Sequence, residues 1–289
     1  MTAVTVPGVD AAEIDRVVDL ALHEDLRDGP DVTTAACVPP GTVAVGEFRT
    51  RPPGTLAGVG VARRVLEKVC GDDLEVLAAR EDGERLAAGE VALAVRAPLT
   101  TLLTAERTAL NLLCQLSGVA TATAAWVDAA AGTRVRIRDS RKTVPGLRAL
   151  QKYAVRCGGG VNHRMSLGDA VLIKDNHVHA AGSVTAALRA ARAAAPHLPC
   201  EVEVDSAEQL EEILPLGVEL VLLDNFTPGQ CAEAVRRRDA VAAPTGLEAS
   251  GGLSLDSAHA YAASGVDYLS VGGLTHSSPA LDLGLDLHT

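Results

Sequence analysis

Apolar and polar positions change their period along this chain. Near the N-terminus Ile14, Val17, Val18, Ala21 and Leu22 recur at helical spacing, one apolar stripe of a 3.6-residue repeat. Asp10 and Glu13 have the spacing of a capping box at its start, and His23-Glu24-Asp25 lies at its end. After the Gly/Pro punctuation of GPDVTT and VPPGT come the short runs VAVGEF, LEVLAA and EVALAV, with the helical stretch GVARRVLEKVC between the first two. Strands gathered around one helix predict a small α+β sandwich.

From Leu99 to Ala131 the chain is rich in helix formers, interrupted only by Ser117-Gly118. That punctuation predicts two helices hinged at the glycine. The domain change is placed here, giving a sandwich domain over 1–115 and a second domain over 116–274. Beyond it strand and helix alternate. RVRIR (134–138), VLIK (171–174), EVEV (201–204), ELVLLD (219–224), LEAS (247–250) and DYLSV (267–271) read as strands. SVTAALRAARAA, SAEQLEEIL, PGQCAEAVRRR and SLDSAHAYAAS read as helices between them. Such alternation means parallel βαβ units, and this many of them predict an α/β fold with an incomplete, open barrel of about six or seven parallel strands. A doubly wound open sheet is the alternative, but no G-x-G-x-x-G or P-loop opens a helix here.

Composition excludes several classes of function. The 289 residues carry 26 Lys+Arg against 37 Asp+Glu, a formal charge of −11. An acidic chain without a basic, aromatic-interleaved stretch is a poor match for nucleic acid or an anionic membrane. No unbroken apolar run is long enough to span a bilayer, and MTAVTVPGVDAAEID lacks the positive region of a secretory signal. Cys37, Cys70, Cys114, Cys157, Cys200 and Cys231 are scattered without a C-x-x-C, so they read as small buried hydrophobes in a reducing cytoplasm.

The net charge hides an island. Residues 134–177 hold ten Lys/Arg and three acids, a local +7, which leaves −18 for the rest of the chain. Lysine is rare, with only Lys68, Lys142, Lys152 and Lys174 beside 22 arginines, and three of the four lie in the island. Arg148, Lys152 and Arg156 step at helical spacing and read as a solvated helix face. Arg141, Lys142, Arg164 and Lys174 fall in loops or at a strand end, where Arg forks and Lys point charges hold a ligand with several negative charges.

In a parallel barrel the reactive groups sit at the C-terminal strand edges. Those edges read Asp139-Ser140-Arg141-Lys142, Lys174-Asp175-Asn176-His177, Glu203, Asp224-Asn225, Ser250-Gly251-Gly252 and Gly272-Gly273. The two glycine pairs follow the last two strands, where barrels often cradle phosphate on backbone N–H groups, although tight turns explain them as well. Glu203 and Asp224 are costly on a barrel interior unless they meet cations, Mg²⁺ or ribose hydroxyls. Glu201 is in phase with Glu203, and the strand alone does not say which one faces inward. His163, beside Arg164 after a glycine run, offers a hydrogen bond to a carboxylate, whereas His177 and His179 lack a third metal ligand and read as structural.

The blocks HEDLRDGPDVTT, ERTALNLLCQLSGVAT, DSRKTVPGLRALQKYAVRCGGGVNHRMSLGDAVLIKDNH, EVEV, LLDNF, LEASGG and THSSPALDLGLDL resemble the quinolinate phosphoribosyltransferases almost end to end. The resemblance implies an N-terminal sandwich, an incomplete α/β barrel, and a tail (275–289) that packs back on the first domain. It implies a homodimer or a dimer-based hexamer in which Arg107 reaches into the neighbour's site. It further implies that Arg141, His163, Arg164 and Lys174 bind the two carboxylates of quinolinate. Ser140, Lys142, Glu203, Asp224, Ser250, Gly251, Gly252, Val271, Gly272 and Gly273 would then serve phosphoribosyl pyrophosphate with Mg²⁺ held at Glu203 and Asp224, and Lys142, Lys174, Glu203 and Asp224 would be the catalytic set. Ser140 stands where the family usually has Thr, and Phe226 where Met is common. The implied reaction is phosphoribosyl transfer to quinolinate with decarboxylation, a step of NAD biosynthesis. The alternatives are a phosphoribosyltransferase for another aromatic acid, and a non-catalytic barrel that senses a phosphorylated metabolite.

Overall fold

The computed structural model describes residues 6–288. Their contacts fall into two compact units: the chain up to Ala124 with Thr143–Gly159 and the tail from Leu274, and Ala125–Lys142 with Gly160–Gly273.

In the first unit, α1 (Ala11–Leu26) is capped by Asp10, whose carboxylate accepts the Ala12 N–H. The expected second half of the capping box does not close, because the Glu13 carboxylate pairs with Arg16 instead. Helix α2 (Val32–Cys37) is followed by β1 (Val43–Thr50), β2 (Gly54–Thr55), α3 (Val59–Cys70), β3 (Glu75–Ala79), β4 (Arg85–Leu86) and β5 (Val91–Pro98). An antiparallel sheet runs in the order C-terminal strand (Leu283–His288), β1, β5, β3. Phe48, Leu66, Leu93 and Val95 lie fully buried in its core.

Helix α4 (Leu99–Ala129) is one continuous helix of 31 residues, not two. Ser117 and Gly118 answer to neighbours rather than to a hinge. The Ser117 hydroxyl accepts the Ala57 N–H and donates to the Ala57 carbonyl, both at 3.1 Å. A Cβ on Gly118 would lie 2.2 Å from the Pro279 oxygen and 2.8 Å from the Ala280 Cα, so the glycine lets the tail cross the helix at backbone contact. Among the described residues α4 is the one helix long and apolar enough to cross a membrane, and most of its apolar window is buried within the protein.

Helix α5 (Arg148–Cys157) corrects a second expectation. Lys152 is fully buried, as are Leu150 and Gln151, and Tyr153 is buried beside them, so this is not a solvated face. Gln151 donates to the Thr275 carbonyl and accepts the Val144 N–H. Arg148 reaches the Thr143 hydroxyl, and Arg156 donates to the Pro7 carbonyl while stacking over Tyr153.

The second unit holds β6 (Arg136–Arg138), β7 (Val171–Ile173), α6 (Asp175–Ala181), α7 (Val184–Ala194), β8 (Cys200–Val204), α8 (Ala207–Ile213), β9 (Leu220–Asp224), α9 (Pro228–Ala240), β10 (Gly246–Ser250), α10 (Leu255–Ala263) and β11 (Tyr268–Ser270). The six strands form one parallel sheet in the order β6-β11-β10-β9-β8-β7. Val161 adds a single parallel bridge beside Arg138 at the open edge. The sheet is curled, because Arg138 on β6 comes within 3.9 Å of Glu201 on β8, four strands away.

The polarity of its two faces is the reverse of a simple sandwich. Ile137, Leu269, Leu247, Val221, Leu223, Val202, Val204 and Ile173 point outward and are buried with the apolar sides of the helices, Leu188 on α7, Leu210 on α8, Cys231 on α9 and Ala258 on α10 among them. The alternate residues line the interior, since successive side chains of a strand take opposite faces. They include Arg138, Glu201, Glu203, Asp224, Glu248, Ser250 and Ser270. Glu201 and Glu203 therefore both face inward, one beneath the other.

Candidate functional site

The strand ends of the second unit enclose a cavity of about 400 Å³. Of the residues singled out from the sequence, Ser140, Arg141, Lys142, His163, Arg164, Lys174, Glu203, Asp224, Ser250, Gly251 and Gly272 line it. Leu172, Leu222 and Ser270 complete the lining and were not anticipated. Arg107, exposed on α4, and Gly252, Val271 and Gly273 are not among the lining residues.

Local sequence explains how each group is aimed. The Ser140 hydroxyl accepts the Lys142 N–H at 3.1 Å and so bends the turn that presents Arg141 and Lys142. Fully buried Asp139 anchors the facing segment, accepting the His163 N–H at 2.7 Å and the Asn162 amide at 2.6 Å. Lys174 closes β7, and the His177 ring Nδ1 accepts its N–H at 2.9 Å. His177 and His179 thus belong to the short helix α6, with His177 capping it. Asn225 takes a positive φ of 58°, donates its N–H to the Ser250 carbonyl and its amide to Asp224. Gly251 allows this, since a Cβ there would fall 2.3 Å from the Asn225 oxygen. The glycine serves a close approach beside the cavity and not merely a turn.

The electrostatics are lopsided. Burial, and after it the charge of nearby Arg141, pull the Arg164 guanidinium below its usual pKa. The Nε of each is buried without a hydrogen-bond partner. Two like charges with unused donors are a strained arrangement that a dianion between them would relieve. Arg164 is held in part by its bond to the Ala170 carbonyl at 3.0 Å. Lys174 is ion-paired to Glu203.

Below this layer lies a buried cluster that sequence reasoning missed. The side chains of Glu201 and Glu248 are 6% and 0% exposed, and burial pushes the carboxyls of both up to about 7. Arg138 binds Glu248 at 2.6 Å and stacks over Tyr268. Burial opposes its charge, but the two glutamates outweigh that and hold its pKa above the usual value. His163 turns Nε2 towards Glu201, 3.0 Å away, while its Nδ1 accepts the Arg164 N–H at 2.7 Å. Both ring nitrogens face protein atoms, and the residue also lines the cavity. Donor atoms of His163, Glu201 and Glu248 come within 4.8 Å of one another, with Arg138 as their counter-charge. The available signal was parity: Glu248 sits two residues before Ser250, and Glu201 two before Glu203.

A curled parallel sheet that gathers cations, carboxylates and a glycine turn at its C-terminal edge defines an α/β enzyme with a site for a small polyanion. Comparison with known proteins places the chain within that class. The C-terminal domain family of quinolinate phosphoribosyl transferase matches residues 119–286, and the N-terminal domain family matches residues 31–117. A nicotinate-nucleotide pyrophosphorylase (carboxylating) from Mycobacterium leprae (strain TN) is 63% identical over 268 residues, 92% of this chain and 94% of the relative. One from Homo sapiens is 37% identical over 288 residues, 99% of this chain and 94% of the relative. The solved nicotinate-nucleotide pyrophosphorylase from Francisella tularensis superposes with a TM-score of 0.92 at 33% identity, covering 98% of this chain and 99% of that one. The chain belongs to the quinolinate phosphoribosyl transferase family.

Proposed function

We propose that this chain transfers the phosphoribosyl group of phosphoribosyl pyrophosphate to the ring nitrogen of quinolinate and releases the adjacent carboxylate, giving nicotinate mononucleotide, CO₂ and pyrophosphate for NAD biosynthesis. The observation that carries the reading is the cavity itself. Four cations, Arg141, Lys142, Arg164 and Lys174, share it with the carboxylates Glu203 and Asp224, in a chain of this family.

Arg141 and Arg164, crowded together with unused donors, suit the two adjacent carboxylates of quinolinate and would hold its nitrogen facing the sugar. Lys142 suits pyrophosphate oxygens, and Lys174, exchanging Glu203 for substrate, suits a carboxylate of quinolinate. Glu203 and Asp224 would bind ribose hydroxyls and stabilise positive charge at the anomeric carbon as its bond to pyrophosphate breaks and the bond to nitrogen forms. The cationic ring then accepts the electron pair left when the neighbouring carboxylate departs, and a proton replaces CO₂ at that carbon. Holding both reactants in one small cavity supplies orientation that a weak nucleophile such as a pyridine nitrogen needs.

Glu203 and Asp224 offer hard oxygen donors at the cavity wall, a donor set that fits Mg²⁺, which takes one or two carboxylates together with substrate phosphates. When bound it would neutralise charge on the leaving pyrophosphate. Arg107, exposed on α4, would enter the site from a second copy in a homodimer or a dimer-based hexamer. Six free cysteines support a cytoplasmic setting.

The test is turnover. Purified protein given Mg²⁺, quinolinate and phosphoribosyl pyrophosphate should release CO₂ and nicotinate mononucleotide in equal amounts. Release of neither, or turnover of nicotinate in place of quinolinate, would overturn the reading.

A further inference from the structure

We propose that Glu201 and Glu248 are positioning residues which, braced by Arg138, hold His163 in a single tautomer and through it fix the main chain that carries Arg164 into the cavity. Neither glutamate lines the cavity, and the functional reading above uses neither.

An inward pair of buried carboxylates is a poor choice for stability alone. A buried ion cluster is often no better than well-packed apolar residues, and its desolvation costs several kcal/mol per ion. The interior accepts apolar residues nearby, as Leu222 on β9 shows. What the glutamates have that leucines lack is a set of contacts converging on one imidazole. Arg138 Nη1 reaches Glu248 at 2.6 Å and Glu201 at 3.9 Å. Glu201 lies 3.0 Å and Glu248 3.8 Å from His163 Nε2.

On its other side the His163 Nδ1 accepts the Arg164 N–H at 2.7 Å. A ring nitrogen that accepts carries no proton, so the proton of the neutral imidazole sits on Nε2, directed at Glu201. The His163 N–H is separately tied to Asp139. Main chain and ring are both fixed, and Arg164 follows at the next residue. A hydrogen-bonded partner that sets the tautomer and orientation of a histidine is the same device that tunes metal-bound histidines, used here to aim an arginine. A displacement of 1 Å at the reacting groups costs about 100-fold, which gives such bracing a purpose.

The kinetic part of the test rests on the cavity being the dicarboxylate site proposed above; the spectroscopic part does not. Glu201→Leu removes the acceptor, and Glu201→Gln keeps a carbonyl oxygen that can still accept from Nε2–H. With ¹⁵N-labelled histidine, the His163 signal, assigned by its loss in His163→Asn, should report the Nε2–H tautomer in the wild type and in Glu201→Gln. The Leu variant should raise KM for quinolinate about tenfold or more, with little change in KM for phosphoribosyl pyrophosphate, and the Gln variant should recover most of that loss. A wild-type His163 found as the Nδ1–H form or as a mixture of tautomers would overturn the proposal. So would equal rises in both KM values, or a folded Leu variant with an unchanged KM for quinolinate. If the Leu variant does not fold, the tautomer in the wild type and the kinetics of Glu201→Gln still decide. If the wild type does not turn over at all, the functional reading fails while the tautomer measurement still judges this one.

Discussion

Replacing Gly118 with alanine sets two effects of known size against each other. In an exposed helix interior the change is favourable by about 1 kcal/mol, because alanine is the better helix former. At this position the new methyl would sit 2.2 Å from the Pro279 oxygen, 2.8 Å from the Ala280 Cα and 3.0 Å from the Pro279 carbonyl carbon. All three are backbone atoms, so no flexible side chain can swing away. Either α4 bends or the segment that leads into the C-terminal strand lifts, and overpacking of this kind typically costs about 1–3 kcal/mol, occasionally more. The Ser117 hydroxyl, bonded to both Ala57 groups, resists the first route. The Leu281 N–H bond to the Cys114 carbonyl resists the second. Three backbone atoms this close put the overpacking at the upper end of that range, about 2–3 kcal/mol. Less the propensity gain, the net loss should be about 1–2 kcal/mol, lowering Tm by several degrees at about 2–4 °C per kcal/mol. Urea unfolding of wild type and Gly118→Ala, followed by circular dichroism, measures the difference directly. An alanine variant as stable as the wild type or more so would show that the glycine is a tolerated helix residue, and that the close crossing of tail and helix has been misread.

Three further outcomes follow from the geometry. Arg141→Ala removes a fork with a buried, unused Nε, and hydrogen bonds to charged groups are worth about 1.5–3 kcal/mol, so KM for quinolinate should rise about 10–100-fold; a rise of the same size in KM for phosphoribosyl pyrophosphate would contradict the division of roles between the cations. Stability should increase as pH is lowered from 8 to 5, because Glu201 and Glu248 have folded-state pKa values raised to about 7 above their ordinary 4.5, so the folded state takes up protons that the unfolded chain does not. Urea midpoints across that range should show this and should flatten in Glu248→Gln; a profile unchanged by that variant would count against it. Finally, Cys37 is exposed, contrary to the expectation of buried thiols, whereas burial pushes Cys157, Cys200 and Cys231 up to about 11 and also raises Cys70 and Cys114. A thiol reagent at pH 7.5 should therefore modify one of the six cysteines rapidly; fast modification of two or more would refute the burial pattern.

Much of the second unit could be read from residue order. Short β-branched runs ending in charge or glycine located all six strands, and those endings supplied nine of the residues that line the cavity, with His163 and Arg164 coming from the segment after the glycine run. Local pattern failed where the reason lay far away in the chain. Gly118 looks like a hinge until the tail residues Pro279 and Ala280 are beside it. Lys152 has the spacing of a surface charge but sits in a helix buried along most of its length. Glu248, in LEAS, resembles the polar member of an alternating strand, and only the curl of the sheet reveals that its polar side is the enclosed one. His163 was recognised as a candidate, but which atoms its nitrogens meet depends on Glu201, a residue 38 positions later.

The reversed polarity of the parallel sheet has a consequence for how such a protein can change. Residues that keep the second unit folded, such as Val202, Val221, Leu223 and Leu247, alternate one by one with residues that face the ligand or brace those that do. Substitutions at the inward positions leave the contacts between strands and helices untouched, and substitutions at the outward positions leave the chemistry in place. Two separately variable texts are thus written on the same six strands, so ligand preference can drift along one while the other keeps the barrel intact.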